Sequence, residues 1–287
     1  MKLGIIYAAY IGKYGYAAGL ERMKRHGYNS VDYQLFIRTH EGYLFLSESE
    51  LEKTARADGA RIEAAGIKIS QTHGPWRWPV NDSTSEERKK RFDFFAKAVR
   101  GTAYAGAKNC VVHCIMPFGD NTDERREEML AINEDFFGRL CEVGAEYGVN
   151  VCLENLPFPK LPLARVKDVV DFVKKVNHNN FKVCLDTGHA LVCGEEIGDA
   201  VRYIGKELLS TLHVHDNFGV DDLHLHPGAG ILDFDSLGRG LSDIRFEGAF
   251  SYETHVKGDG HSPEEQEKKE IVLADFGREF VKKYSRA

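Results

Sequence analysis

The chain has 287 residues, of which 43% are hydrophobic and 29% are charged, and this composition excludes a disordered, collagen-like or coiled-coil protein. Its 38 Lys and Arg against 44 Asp and Glu leave a formal net charge of -6, which disfavours a nucleic-acid partner. The longest apolar runs fall far short of the ~20 residues that a membrane-spanning helix requires, so we expect no membrane association. Six cysteines without a C-x-x-C pair are typical of a reduced, cytoplasmic protein.

Short β-rich runs alternate with amphipathic helical stretches from one end of the chain to the other. The sequence predicts strands at 2–8, 30–35, 67–73, 109–113, 149–154, 181–186, 211–216 and 248–253. It predicts helices at 17–26, 49–65, 85–105, 123–147, 163–176, 197–208 and 263–284. Capping signals precede several helices, and a glycine stands before several strands, where a helix is expected to end.

This unbroken alternation predicts parallel strands joined by right-handed crossovers, and eight such units close into a barrel. We therefore predict an α/β fold, a (β/α)8 TIM barrel, as a single domain over residues 1–287. The alternative, a doubly wound open sheet, usually carries a glycine-rich phosphate-binding turn after its first strand. The corresponding segment, Ala8-Ala9-Tyr10-Ile11-Gly12, does not fit that pattern.

Histidine and acidic residues gather at the predicted carboxyl ends of the strands, where barrels place their active sites. They are His73, His113, Glu154, Asp186 with His189, His215 with Asp216, and Glu253 with His255, joined by Asp222, His224 and His226 in the loop after strand seven. Any one of them alone would more often be a solvated or hydrogen-bonded side chain than a metal ligand. Together they predict a divalent-metal site, because almost no Lys or Arg is present at the strand ends to balance the carboxylates.

The mixture of imidazole and carboxylate groups suits Zn, Mn, Co or Fe rather than Ca. His213 points to the same side of its strand as His215 and is expected one layer deeper, either supporting the ligands or merely buried. Glu154 and Glu253 belong to strands on different sides of the barrel. They can therefore approach a substrate from two directions, as acid/base pairs do.

Three motifs carry a family resemblance, namely Cys184-Leu185-Asp186-Thr187-Gly188-His189-Ala190, His213-Val214-His215-Asp216-Asn217 and Pro227-Gly228-Ala229-Gly230. With them the chain resembles the xylose isomerase-like TIM-barrel superfamily, which contains sugar isomerases and epimerases as well as endonuclease IV. Further matching segments at 71–75, 111–113, 153–155 and 252–254 extend the resemblance over nearly the whole chain.

The resemblance to the epimerase-like members implies a metal-dependent isomerase or epimerase that removes a proton next to a carbonyl and passes through an enediolate. It implies one divalent ion (Mn, Zn or Co) bound by Glu154, Asp186, His215 and Glu253, with the two glutamates as the catalytic acid/base pair. His189 matches a substrate-binding histidine. The epimerases also hold substrate with an arginine in the loop after strand seven, but residues 217–222 contain none.

The substrate is expected to be a small sugar-like molecule, because aromatic side chains are common in the predicted loops above the barrel. His73, Trp76 and Trp78 are predicted to contact it alongside His189. The resemblance alone also implies that the chain can form a homo-oligomer.

Endonuclease IV provides the competing resemblance, with three zinc ions that act on abasic DNA. Its ligand types are matched at His73, His113, Glu154, Asp186, His189, His215, Asp222, His224 and Glu253. In that case His73, His113, His189, Asp222 and His224 would be additional metal ligands, and up to three ions would bind. A non-catalytic binding module is disfavoured, since both Glu154 and Glu253 are present.

Overall fold

The computed structural model describes residues 1–34, 42–76, 81–119, 125–257 and 260–285. Within these residues, eight parallel strands form one sheet. They are β1 (Lys2–Ile6), β2 (Ser30–Tyr33), β3 (Lys68–His73), β4 (Asn109–Val112), β5 (Asn150–Glu154), β6 (Phe181–Asp186), β7 (Leu209–His213) and β8 (Ala249–Tyr252). Neighbouring strands pair in the order β7-β6-β5-β4-β3-β2-β1-β8.

The two ends of this sheet meet just beyond β7. The Val214 amide donates to the carbonyl of Ser251 at 2.9 Å, and the Glu253 amide donates to the carbonyl of Val214 at 3.0 Å. A parallel bridge between Val214 and Tyr252 thus brings the outer strands together. The predicted single-domain (β/α)8 TIM barrel is confirmed.

Helices lie between the strands. They are α1 (Ile11–Tyr14), α2 (Tyr16–His26), α3 (Glu48–Ala64), α4 (Ser85–Tyr104), α5 (Arg126–Tyr147), α6 (Val166–Val176), α7 (Thr187–Val192), α8 (Ile197–Ile204), α9 (Phe234–Asp243) and α10 (Pro263–Tyr284). Capping boxes begin α3, α4 and α10, with Ser47, Thr84 and Ser262 as the capping residues. No described helix has the length and apolar character needed to span a bilayer.

Most of the core lies between the sheet and the helices, where Phe137 of α5 stacks on Phe181 of β6 at 5.3 Å between ring centroids. Val111, Cys152 and Cys184 form a second, small cluster. Cys152 and Cys184 stand two residues before Glu154 and Asp186, so they share the inward face of their strands. This small cluster therefore lies beneath the carboxyl end of the barrel.

A buried ion pair fixes the loop between β3 and α4. The carboxylate of Asp82 accepts a bond from the guanidinium of Arg91 at 2.6 Å and from the Met116 amide at 3.0 Å. The side chains of Asp82 and Arg91 are 2% and 1% exposed. This pair connects the start of α4 to the loop after β4.

Two predicted elements differ from the structure in an informative way. The predicted helix over 197–208 ends at Ile204, because Gly205 follows with a positive φ of 73° that stops the helix. β7 begins at Leu209 and ends at His213, so residues 214–216 lie beyond the strand. Helix α9 was not predicted, and its two glycines, Gly238 and Gly240, weaken its helical signal.

Candidate metal centre

A cavity of about 290 Å³ opens at the carboxyl ends of the strands. It is lined by His73, Trp76, His113, Glu154, Leu156, Pro157, Phe158, His189, Asp222, His224 and Glu253. The lining combines apolar and aromatic side chains with ionisable groups. This is the composition of a site for a small polar ligand that also has an apolar face.

Glu154, the last residue of β5, contacts imidazoles on both of its carboxylate oxygens. Oε2 lies 3.2 Å from Nε2 of His73 and 3.0 Å from Nε2 of His113, while Oε1 lies 2.8 Å from Nδ1 of His213. Burial by itself would raise the pKa of this carboxyl, but the imidazoles of His213 and His113 hold it well below the usual range. Glu154 is therefore a buried carboxylate.

Four side chains from consecutive strand ends form the first ligand group. Glu154, Asp186, His213 and Glu253 each direct a donor atom into a region in which all four atoms lie within 4.8 Å of one another. The side chain of Glu253 is 13% exposed, whereas that of Glu154 is 1% exposed. Burial together with the neighbouring Glu154 and Asp186 raises the pKa of Glu253, although His213 opposes this.

A second group, which shares Glu154 with the first, consists of His73, His113 and Glu154. Burial lowers the pKa of His113 to about 4, so this imidazole is neutral and retains a lone pair for a ligand bond. The indole of Trp76 packs edge-on against the His113 ring, with 4.4 Å between the centroids. Trp76 is thus at the mouth of the cavity, beside the second group.

The third group consists of His189, His215, Asp222 and His224. Asp222 Oδ2 lies 3.2 Å from Nε2 of His189 and 3.1 Å from Nε2 of His224. The rings of His215 and His224 stack with 4.0 Å between their centroids. Gly188 allows this packing, because a Cβ at that position would lie 1.9 Å from the His215 ring.

The hydrogen bonds of three histidines leave one ring nitrogen of each directed at a carboxylate. Nδ1 of His73, His189 and His224 donates to the backbone carbonyls of Gly74, Asn155 and Glu253, at 2.8, 2.8 and 2.6 Å. In a neutral ring, Nε2 would then present its lone pair to the carboxylate oxygens around it. A cation must therefore lie between each Nε2 atom and the carboxylate oxygen that it faces. This cation is either a proton on the ring or a metal ion.

Carbonyl acceptors of this kind also fix the ring orientation and tautomer of metal-bound histidines. If the cations are protons, neighbouring carboxylates raise the pKa values of His189 and His224 in the third group. Burial lowers the pKa of His189, but Asp186 and Asp222 outweigh this effect and raise it to about 10. Burial likewise opposes Asp222 and Glu253 at His224, and the pKa of His224 rises to about 9. The donor set therefore fits divalent metal ions.

Which histidine completes the predicted four-residue ligand set, with His215 as the expected one, stays a prediction. His213, rather than His215, is grouped with Glu154, Asp186 and Glu253. His215 contacts Asp186 at 3.1 Å but belongs to the third group. His213 is the last residue of β7, whereas His215 and Asp216 lie beyond the strand.

The structure places His73, His189 and Trp76 in the cavity wall, in agreement with their expected positions. Whether they contact a substrate stays a prediction. Trp78 lies outside the described residues.

Sequence reasoning missed the residues that support His213. Its Nε2 lies 2.9 Å from Oδ2 of the fully buried Asp32, and Gln71 donates to the same oxygen at 3.1 Å. Asp32 lies between Val31 and Tyr33 in β2, and a carboxylate inside a predicted barrel strand was a usable signal, because a buried carboxylate needs a partner.

Asp216 holds the loop after β7 in place. Its Oδ1 accepts bonds from the amides of Asn217 and Leu232, both at 2.9 Å. Its Oδ2 accepts from the amides of Gly228 at 3.0 Å and Gly230 at 2.9 Å. One carboxylate thus ties together both ends of the loop that carries Asp222 and His224.

The comparisons with known proteins agree with this architecture. A family model described as the xylose isomerase-like TIM barrel matches residues 20–274. The D-psicose 3-epimerase of Agrobacterium fabrum is 26% identical over 267 residues, which cover 91% of this chain and 87% of that protein. The D-psicose 3-epimerase of Ruminiclostridium cellulolyticum is 36% identical over 120 residues, and the match spans 41% of this chain but only 39% of that relative's length.

Among solved structures, one described as the IOLI protein with a binding zinc atom has a TM-score of 0.76. It is 20% identical, and the match covers 100% of both chains. At this identity the similarity describes the fold.

Proposed function

Because the chain belongs to the xylose isomerase-like TIM-barrel family, we propose that it is a divalent-metal-dependent isomerase or epimerase of a small sugar or sugar-like substrate. The observation that supports this most directly is the first ligand group, in which Glu154 and Glu253 direct carboxylates toward Asp186 and His213. Two carboxylates beside one metal site are the equipment for moving a proton next to a carbonyl. The two D-psicose 3-epimerases that the chain resembles favour the same class of reaction.

The metal would be held by Glu154, Asp186, His213 and Glu253. When bound, a divalent ion polarises the substrate carbonyl and stabilises the negative charge that develops on its oxygen. Mn, Zn and Co all suit this set of imidazole and carboxylate donors. The zinc atom of the structurally similar IOLI protein supports a divalent ion of this type.

The glutamates carry the proton transfer in this proposal. One removes the proton from the carbon next to the carbonyl, which leaves an enediolate, and the other returns a proton. Glu154 is fixed by His73, His113 and His213, whereas Glu253 is more exposed to the cavity. Glu253 is therefore the better placed of the two to exchange its proton with solvent.

The direct test is hydrogen exchange rather than product formation. A panel of ketoses and aldoses, incubated in D₂O with the protein loaded with Mn, Co or Zn, should include one that gains deuterium at the carbon next to its carbonyl. NMR detects this exchange even where the equilibrium hides the product. The absence of exchange with every sugar and every metal would contradict the proposal.

A second candidate function is an endonuclease IV-like phosphodiesterase that acts on abasic DNA with three zinc ions. It is favoured by three of the five overlapping groups of potential ligands among the described residues, with Glu154 shared between two of these three and Asp186 lying 3.1 Å from His215 of the third. The net charge of -6 stands against it, because phosphate binding usually requires a basic face. The cytoplasmic location and the homo-oligomer remain predictions.

Metal content separates the two candidates. We expect mass spectrometry of untagged, purified protein to find about one tightly held ion per chain, because one metal suffices for carbonyl polarisation. About three zinc ions per chain would instead mean that all three groups are occupied, and cleavage of abasic DNA would then be the activity to measure. A chain with no tightly held metal would count against both functions.

Asp32 provides a further test of the metal assignment. We expect Asp32→Asn to weaken metal binding by about 10- to 100-fold, because His213 loses the carboxylate that orients its ring. Competition with a coloured chelator measures this affinity directly. Asp135→Asn, at an exposed position on α5, should leave the affinity unchanged, and equal affinities in both variants would remove His213 from the ligand set.

A further inference from the structure

We propose that a second, deeper metal position lies beneath the first ligand group and binds thiophilic cations, such as Cd²⁺, through the sulfur atom of Cys184. This deeper position is formed by Cys184, His213 and Glu154, whose donor atoms all lie within 4.8 Å of one another. Glu154 and His213 also belong to the first ligand group, so an ion in the deeper position replaces an ion in that group. The inference concerns metal selection and goes beyond the proposed reaction.

The strand register places Cys184 beneath the first ligand group. Glu154 of β5 is the register partner of Cys184 in β6, so both side chains point to the inward face of the barrel. Asp186 follows two residues later in β6, one layer higher, and its register partner is His213 of β7. Cys184 and His213 are 0% exposed and Glu154 is 1% exposed. The deeper position is therefore shielded from water, whereas the first ligand group includes Glu253, whose side chain is 13% exposed.

Cys184 differs from the other cysteines of the chain in its neighbours. All six cysteines are buried and lie in the described ranges, and Cys184 alone belongs to a group of potential metal ligands. A buried cysteine is usually an inert, apolar side chain. Here an imidazole and a carboxylate complete a set of one sulfur, one nitrogen and one oxygen donor. Such a set favours soft cations over Mn²⁺, which prefers oxygen donors.

The charges of the two positions favour different ions as well. Ionised Glu154, Asp186 and Glu253 provide three negative charges in the first ligand group, one more than a divalent ion balances. In the deeper position, the Glu154 carboxylate and the Cys184 thiolate balance a divalent ion, and the His213 imidazole is neutral. This balance stabilises a bound ion there, because an uncompensated charge is costly in a buried site. The thiol proton leaves to solvent when the ion binds.

Metal selection follows from this arrangement. Mn²⁺ is stabilised by the three carboxylates of the first ligand group, whereas Cd²⁺ is stabilised one layer lower by sulfur. Cd²⁺ in the deeper position occupies Glu154 and His213 and leaves Asp186 and Glu253 without their metal. Thiophilic cations therefore displace the ion that the first ligand group holds.

The first experiment uses the unaltered full chain loaded with Cd²⁺. X-ray absorption at the cadmium edge counts the sulfur atoms bound to the ion, and we expect a single sulfur ligand. The ultraviolet sulfur-to-cadmium charge-transfer band should disappear in Cys184→Ser. It should persist in Cys141→Ser, a matched change at a buried position on α5. A cadmium shell of oxygen and nitrogen alone, or a band that survives in Cys184→Ser, would overturn the proposal.

Competition with Mn²⁺ tests whether the two positions share ligands. Electron paramagnetic resonance measures the Mn²⁺ that Cd²⁺ releases from the protein. We expect Cys184→Ser to require roughly tenfold more Cd²⁺ for half-displacement, while its Mn²⁺ affinity stays unchanged and shows that the variant is folded. Sulfur-bound Cd²⁺ that leaves Mn²⁺ in place would contradict the shared ligands. If the variant binds no Mn²⁺, the sulfur count of the unaltered chain decides alone.

Neither readout involves a sugar, so this inference and the proposed function fail separately. Sulfur-bound Cd²⁺ in a protein that exchanges deuterium into no sugar would support the deeper position and contradict the isomerase. Deuterium exchange in a protein whose Cd²⁺ has no sulfur ligand would do the reverse.

Discussion

We expect the Glu154→Gln variant to keep its fold and to lose at least ~10²-fold in kcat, the lower limit for removing a catalytic acid or base. The amide cannot accept a proton from the substrate. It also presents an NH₂ group either to His73 and His113 or to His213, whose ring nitrogens now face carboxylate oxygens. The variant should therefore lose bound metal as well as proton-transfer capacity.

The measurement combines kcat on the sugar identified by deuterium exchange, metal content and circular dichroism. Glu253→Gln should lower kcat by a similar factor, because the proposed reaction needs both carboxylates. Glu146→Gln, at an exposed position near the end of α5, is the matched control and should be fully active. A Glu154→Gln variant with near-normal turnover would exclude Glu154 from the chemistry.

The Asp82→Ala variant is expected to lower the free energy of unfolding by about 3–5 kcal/mol, the usual cost of removing one partner from a buried ion pair. Arg91, 1% exposed, would lose the carboxylate that now lies 2.6 Å away. The Met116 amide would lose its acceptor too. Urea unfolding, followed by circular dichroism, measures the change.

Two further variants make this result interpretable. Asp93→Ala removes a carboxylate from the exposed face of the same helix and should change stability by less than about 0.5 kcal/mol. An Asp82→Leu/Arg91→Met double variant buries no charge, so it should recover much of the lost stability. Equal stabilities for Asp82→Ala and Asp93→Ala would show that the ion pair does not support the loop.

The barrel could be predicted from the sequence because its signals are local. Apolar runs, capping residues and helix-ending glycines recur with each unit, and eight repetitions leave few topologies to consider. The same strand assignment also predicted that His, Asp and Glu residues lie together at one end of the barrel. His73, Glu154 and Asp186 are the last residues of their strands in the structure, as predicted.

The histidine of the first ligand group could not be predicted as well, because it depends on the exact end of one strand. His213 and His215 have the same side-chain orientation in any extended reading, so periodicity cannot separate them. Gly205, with a positive φ, follows the end of α8, and the strand after it, β7, ends at His213. The contact of His213 with Asp32 joins residues 181 positions apart, and no local pattern encodes a contact of that range.

The four bonds to Asp216 also determine when the loop after β7 becomes ordered. Both ends of this loop are fixed by a single buried side chain of the protein. The conformational entropy of the loop is therefore lost when the chain folds rather than when a ligand arrives. Asp222 and His224 are thus preorganised, and a ligand that binds between them does not have to overcome the entropy of closing a lid.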